Sequence, residues 1–170
     1  ETDEFRHLMR RYGGTLLAFI EGITHSREEA EDILQEAFVC AYRSLHQYNS
    51  QTASFATWLP HIAYHQALRQ RKKRRFPALS WDEDERLLTT ATERDTNEEA
   101  IEATEERMKL LDNAISHLPD YDRTLLQLYY EKDLPLKDIA YILDSEAGIL
   151  ASRLRRIRDR LRKTLTQQKK

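Results

Sequence analysis

LPLKDIAYILDSEAGILASRLRRIRDRLRK, Leu134 to Lys163, is the stretch whose reading decides the fold. It divides into two helices around a tight turn. The first is expected from about Pro135 to Leu143, because a proline suits a helix's first turn, where its missing N–H would have no intrahelical partner. Ile139, Ala140 and Leu143 recur there at helical spacing. Asp144, Ser145 and Glu146 supply turn and N-cap chemistry. The second helix is expected from near Ala147. Leu150, Leu154, Ile157, Leu161 and Leu165 step by four, three, four and four, which makes one buried stripe. The rest of its surface carries Ser152, Arg153, Arg155, Arg156, Arg158, Arg160, Arg162 and Lys163. A short helix, a turn, and a long helix that is apolar on one side and cationic on the other is the pattern of a helix-turn-helix. In that reading the long helix enters a major groove, its N-terminal residues near base edges and its remaining arginines near phosphates. The plain alternative is a solvated basic helix in an ordinary bundle. The short leading helix and tight turn favour the DNA reading.

The 170 residues suffice for one domain or two small ones, and with only four glycines and four prolines the chain reads as mostly helical. Nowhere do β-branched residues alternate over a useful length. The net charge of −2 hides strong segregation. Arg69 to Arg75 holds six cations and no acid. Asp82 to Glu106 holds eleven acids against Arg86 and Arg94, a net of −9. Arg153 to Lys170 holds nine cations against Asp159, a net of +8. The single cysteine, Cys40, excludes an internal disulfide and suits a reducing compartment. No apolar run approaches the roughly 20 residues needed to span a bilayer, and no signal peptide is recognisable. A cytoplasmic location is expected.

In chain order, residues 1 to about 24 predict a helix with Phe5, Leu8, Tyr12, Leu16, Phe19 and Ile23 on one face, interrupted by Gly13 and Gly14. Ser26 with Glu29 forms a capping box for a second helix. Its apolar face is Ala30, Ile33, Leu34, Ala37, Phe38, Ala41 and Leu45, with Asp32, Gln35, Glu36 and Arg43 away from it. A polar turn over Tyr48 to Ser54 leads to a third helix reaching about Arg75, with Pro60 as a local distortion. This helix carries Phe55, Trp58 and Tyr64, read as exposed-type aromatics, with His61 and His65, and ends in RQRKKRR. Residues 77 to about 99 read as an acidic linker, with a short helix near Arg86 to Leu88. A helix follows from about Glu99 to His117 with Ile101, Met108, Leu111 and Ile115 inward, and another opens at Pro119 and Asp120 with Leu125, Leu126, Leu128 and Tyr129.

Several of these stretches together resemble the extracytoplasmic-function (ECF) group of sigma-70 factors. AEDILQEAFVCAY, Ala30 to Tyr42, is similar to that family's helix docking on the polymerase clamp. ASFATWLPHIAYHQALRQRKKRR, Ala53 to Arg75, is similar to its promoter-melting and downstream-element segment. LPDYDRTLLQLYYEKDLPLKDIAYIL, Leu118 to Leu143, and AGILASRLRRIRDRLRK, Ala147 to Lys163, resemble its upstream-element domain. The resemblance implies two small all-α domains: residues 1–76 for core binding, the downstream element and melting, and residues 100–170 with the helix-turn-helix for the upstream element. Residues 77–99 form the acidic linker, which in the family threads the polymerase's nucleic-acid channel.

The resemblance also implies site residues. Asp32, Gln35 and Glu36 would meet the polymerase clamp, where the plain alternative is a solvated helix face. Tyr48, His61, His65, Arg69, Arg71, Lys72, Lys73 and Arg74 would meet the downstream element. Ser152, Arg153, Arg155, Arg156 and Arg160 would meet the upstream element. Stacking on unpaired bases contributes about 1–3 kcal/mol per base. Of the aromatics, Tyr48 at the start of a loop is the better candidate for the melted strand, while Phe55 and Trp58 suit core packing. The chain departs from the family at Tyr64-His65, where Arg-Asn is usual, at Arg69, usually acidic, and at Pro60, usually aromatic. It departs again across Gly148 to Arg153, where the usual Gly-Thr-Val-Lys-Ser-Arg would put a cation at Ala151.

His61 and His65 lie four apart, a spacing metals can use, but no third ligand follows at suitable spacing and Cys40 is isolated. No metal and no cofactor is therefore expected. Nothing resembles a nucleophile–base pair or a phosphate loop, so no enzyme is expected. The expected partners are core RNA polymerase, promoter DNA and a membrane-linked anti-sigma factor. The alternatives are a free-standing helix-turn-helix regulator with a helical sensor or dimerisation domain, and a helical adaptor with no nucleic-acid role.

Overall fold

The computed structural model describes residues 2–75 and 99–167, and side chains within 3–73 and 104–167. The linker, its short helix near Arg86 to Leu88 and the side chain of Arg74 lie outside these. All regular structure among the described residues is helical. The first body contains α1 (Thr2–Thr24), α2 (Arg27–Ser44) and α3 (Phe55–Arg75). The second contains α4 (Glu99–Ser116), α5 (Asp120–Leu126), α6 (Leu136–Ile142) and α7 (Ala147–Gln167).

In the first body α1 opens with Asp3 and Glu4, whose carboxylates suit the positive end of the helix dipole. It runs unbroken through Gly13 and Gly14, so the expected interruption is absent; neighbouring turns hold the helix across them. Phe5, Leu16, Phe19, Ile20 and Ile23 are buried. His25, at φ 56°, ends α1, and Ser26 caps α2 by accepting from the Glu29 N–H at 3.3 Å. Ala30, Ile33, Ala37, Phe38 and Ala41 bury as expected, but Leu45 does not. The helix tightens into a 3-10 turn over Leu45–Gln47, which swings Leu45 out of the stripe and leaves it 40% exposed. Ser54 starts α3: its carbonyl accepts from the Thr57 and Trp58 N–H groups. Pro60 lies inside α3, and the helix continues past it.

α3 is the central element of this body, packed on both α1 and α2. That explains a correction. Tyr64 is buried, not exposed, while Trp58 is buried and Phe55 half-buried, as core packing of those two requires. Phe55, Trp58, Tyr48 and Tyr12 form an aromatic cluster with centroid separations of 5.0–5.6 Å.

In the second body α5 gives way to one π-helical turn, Gln127–Glu131, which was not expected from the sequence. Asp133, at φ 49°, then turns the chain toward Pro135, which precedes α6. Ile139, Ile142 and Leu143 are buried. α7 buries Leu150, Leu154 and Ile157, with Leu161 and Leu165 half-buried, so the expected stripe is present. α4 packs on α7, with Ala114 buried and Leu111 and Ile115 half-buried. Met108, expected inward, is 57% exposed, because the packed surface of α7 is reached one turn further along α4.

The two bodies meet where α3 lies against α6 and α1 touches α5. The buried apolar side chains of both belong to one connected cluster.

Candidate nucleic-acid interface

α7 projects two kinds of arginine. Arg155, Arg156, Arg158, Arg160 and Arg162 are exposed on the face opposite the leucine stripe, with Ser152 exposed near its start. A helix in this position can present cations to phosphates along its length and polar groups to base edges at its beginning. Arg153 is different. Its Nε donates to a carboxylate oxygen of Asp122, and its guanidinium lies 4.6 Å from the Tyr121 ring centroid. Asp122 is buried. In this arrangement Arg153 ties α7 to α5, where a contact with the upstream element was expected. Helical phase alone could not show this, since Arg153 is only one residue off the buried stripe.

α2 presents Asp32, Gln35 and Glu36 to solvent. The same face continues through Val39 and Tyr42, 49% and 48% exposed. Sequence reasoning missed these two. The signal available was their spacing, Val39 three residues on from Glu36 and Tyr42 three on from Val39, both off the core stripe. A half-acidic, half-apolar strip on a rigid helix is a surface that a basic partner with an apolar ledge can cover.

The basic end of α3 divides too. Arg69, Lys72 and Lys73 are exposed. Arg71 is taken up at the junction of the bodies, donating to Asp120, which also accepts from Arg123. Burial pushes the Asp120 carboxyl up, but hydrogen bonds and charge from Arg71 and Arg123 outweigh it and hold the carboxyl below its ordinary value of 3.8. Tyr48, expected at the melted strand, packs edge-on against Phe55 and tilted against Trp58, so its ring is half-covered in this arrangement.

His61 and His65 share one face of α3, with ring centroids 4.5 Å apart. Both meet Asp144, in the turn between α6 and α7. His61 Nε2 lies 3.3 Å from Oδ1 and His65 Nε2 lies 2.7 Å from Oδ2. The Tyr141 ring covers His61 at 4.9 Å. Burial first, and then the neighbouring His65, lowers the His61 pKa, against the raising effect of Asp144. In this arrangement the two histidines face the helix-turn-helix turn and not open solvent. The third group that linear spacing lacked is thus supplied across the junction, so the three candidate ligands stand together, contrary to the expectation that none would follow.

The family profile described as Sigma-70 region 2 matches residues 8–76. The chain is 32% identical over 172 residues to the RNA polymerase sigma-H factor of Pseudomonas aeruginosa, covering 95% of this chain and 86% of that protein. It is 28% identical over 156 residues to the ECF RNA polymerase sigma factor SigM of Bacillus subtilis, covering 91% of each. In fold it is similar to the sigma factor RpoE of Bartonella quintana, solved with the anti-sigma factor NepR: TM-score 0.66, 18% identity, 96% of this chain and 97% of that one. It is similar also to CnrH, solved with the cytosolic domain of CnrY: TM-score 0.64, 18% identity, 98% and 90% covered.

Proposed function

We propose a division of labour within this chain from one premise: it belongs to the extracytoplasmic-function sigma factors of the sigma-70 family, non-catalytic subunits that direct RNA polymerase to promoters. The free-standing regulator and the adaptor are thereby set aside. In our reading residues 1–76 dock on core polymerase and engage the downstream element and the melted strand. Residues 100–170 read the upstream element, and the acidic stretch 77–99 joins them through the polymerase's nucleic-acid channel.

The observation that carries this reading is that the two bodies hold two different exposed faces. Asp32, Gln35, Glu36, Val39 and Tyr42 on α2 suit a protein partner, and Ser152, Arg155, Arg156 and Arg160 on α7 suit a duplex. Arg69, Lys72 and Lys73 suit the downstream phosphates, with Arg74 beside them in sequence. His61, His65 and Arg71 belong to the downstream surface only once the contacts to Asp144 and Asp120 part, and Tyr48 joins it with the edge of its ring that Phe55 and Trp58 leave open. DNA engagement thus requires the bodies to separate.

Departures from the usual family residues bear on base choice. A neutral imidazole at His65 offers one donor and one acceptor on opposite edges of the ring, where the amide of asparagine offers both at one end. We infer a different preference for the flipped base, whose extrusion costs a few kcal/mol. An anti-sigma partner linked to the membrane is proposed, in keeping with one fold neighbour solved with the anti-sigma factor NepR and another solved with the cytosolic domain of CnrY. A cytoplasmic site of action is proposed too; among the described residues no helix is long and apolar enough to cross a membrane.

The test is titration against core polymerase, followed by transcription from a promoter library. Core-dependent initiation at promoters sharing an upstream and a downstream element is expected. Promoter-specific binding by the chain alone, with no response to core, would overturn the division proposed.

A further inference from the structure

We propose that His61, His65 and Asp144 bind a divalent transition ion, with Zn2+ the fitting member of the class, and that the ion staples the downstream-element helix α3 to the turn of the helix-turn-helix. The ligand set is two imidazoles and one carboxylate. That set suits zinc, whose open sites keep three protein ligands and one solvent position. One ring nitrogen from each histidine and a carboxylate oxygen all lie within 4.8 Å of one another. Metal–ligand bonds of about 2.0–2.1 Å give a tetrahedron with edges of roughly 3.3–3.4 Å. The His61–Asp144 separation of 3.3 Å matches such an edge; His65 lies 2.7 Å from the other carboxylate oxygen, so binding requires the His65 ring and the carboxylate to turn toward a shared centre.

Three further observations point to an ion instead of a simple ion pair. The His65 Nε2 atom is enclosed and makes no hydrogen bond, although Asp144 Oδ2 is 2.7 Å away; the two are close but not aligned for one. A buried polar nitrogen without a hydrogen bond is costly, and coordination would satisfy it. Asp144 has φ 49°, a left-handed conformation at the end of α6 that glycine would adopt with least strain. An aspartate stands there with its carboxylate directed at α3. Finally, Asp144 is 63% exposed in its side chain and lines an open cleft of about 530 Å3 beside Thr52, Lys137 and Tyr141. The Asp144 carboxylate is therefore reachable from solvent on the side away from the histidines.

The ligands come from both bodies, 83 residues apart in sequence between His61 and Asp144. Coordination can only be complete while α3 and the turn are together. An ion bound there holds His61 and His65 away from DNA and fixes the beginning of α7 against α3. Metal occupancy and promoter engagement are then mutually exclusive, and each weakens the other by the same factor.

The proposal is tested on the full chain without polymerase or DNA, so its outcome is separate from the promoter reading. Chelator-treated protein is titrated with Zn2+ by calorimetry and with Co2+ by visible spectroscopy. One ion per chain is expected, together with the intense visible bands of a low-coordinate Co2+ site and a Zn2+-dependent rise in Tm. Losing a group behind a metal ligand already weakens binding about 10–100-fold, so losing a ligand is expected to cost at least about tenfold. Asp144→Gly keeps the backbone unstrained while removing the carboxylate, and His65→Ala removes an imidazole. Both are expected to lose the Co2+ bands and the Tm shift with unchanged circular dichroism, whereas His117→Ala keeps them. No saturable binding, or binding that Asp144→Gly leaves unaltered, would overturn the site.

Discussion

Replacing Arg153 by alanine separates a structural arginine from a DNA-reading one. The guanidinium donates to Asp122 and lies over the Tyr121 ring. The Asp122 side chain is 9% exposed, and that of Arg153 is 39% exposed. Removing one partner of a fully buried pair costs about 3–5 kcal/mol, because the other charge is left enclosed. Two features reduce that here. Arg153 is partly solvated already, and Asp122 sits in the first turn of α5, where the helix dipole contributes roughly 0.3–1 kcal/mol to a carboxylate. Loss of the cation–π contact adds back about 0.5–1 kcal/mol. We expect Arg153→Ala to destabilise the chain by about 2–3 kcal/mol, measured by urea unfolding followed by circular dichroism. In an Asp122→Asn background, where no buried charge is left behind, the same substitution is expected to cost about 1 kcal/mol or less. A loss below about 0.5 kcal/mol, the ordinary range for surface substitutions, combined with weakened DNA binding, would refute the assignment and return Arg153 to the DNA face.

Three other outcomes are expected. Asp32→Lys with Glu36→Lys should abolish core binding at unchanged helicity, and Val39→Asp alone should weaken it; affinities equal to wild type would remove α2 from the docking surface. Arg156→Ala should weaken promoter binding, by about 1–3 kcal/mol at particular sequences if the side chain reads a guanine, or uniformly with a shallower salt dependence if it holds a phosphate; no change in either contradicts the docking of α7. The contact that Asp120 makes with Arg71 and Arg123, with His25 nearby, should persist above the unfolded carboxyl pKa of 3.8 and weaken as pH falls through the lower folded value. An acid phase of stability loss should therefore shrink in Asp120→Asn, and an unchanged acid limb would exclude Asp120 as its source.

What the sequence made legible was periodic. The stripe from Leu150 to Leu165 and the cap at Ser26 depend on residues within a few positions of one another, and both stand in the structure. What it hid depends on partners far along the chain. Tyr64 looks surface-like among histidines and arginines, yet α3 is covered by two neighbours and buries it. Arg153 belongs by helical phase to the cationic face, but Asp122, 31 residues earlier, claims it. Arg71 belongs to a basic run, but Asp120, 49 residues later, takes it up. His61 and His65 were two ligands without a third, because the third lies in another body. Burial and charge pairing across a junction leave no local period to read.

The account turns on two bodies that close α3 against the helix-turn-helix in the free chain and part when promoter DNA is engaged. Thr52 and Lys137 are exposed and line the same cleft across that junction. Spin labels at Thr52→Cys and Lys137→Cys, in a Cys40→Ser background, report the separation directly by pulsed electron resonance. A short, narrow distance distribution is predicted for the free chain, lengthening on assembly with core polymerase and promoter DNA. The same short distance in the transcribing complex would contradict the account.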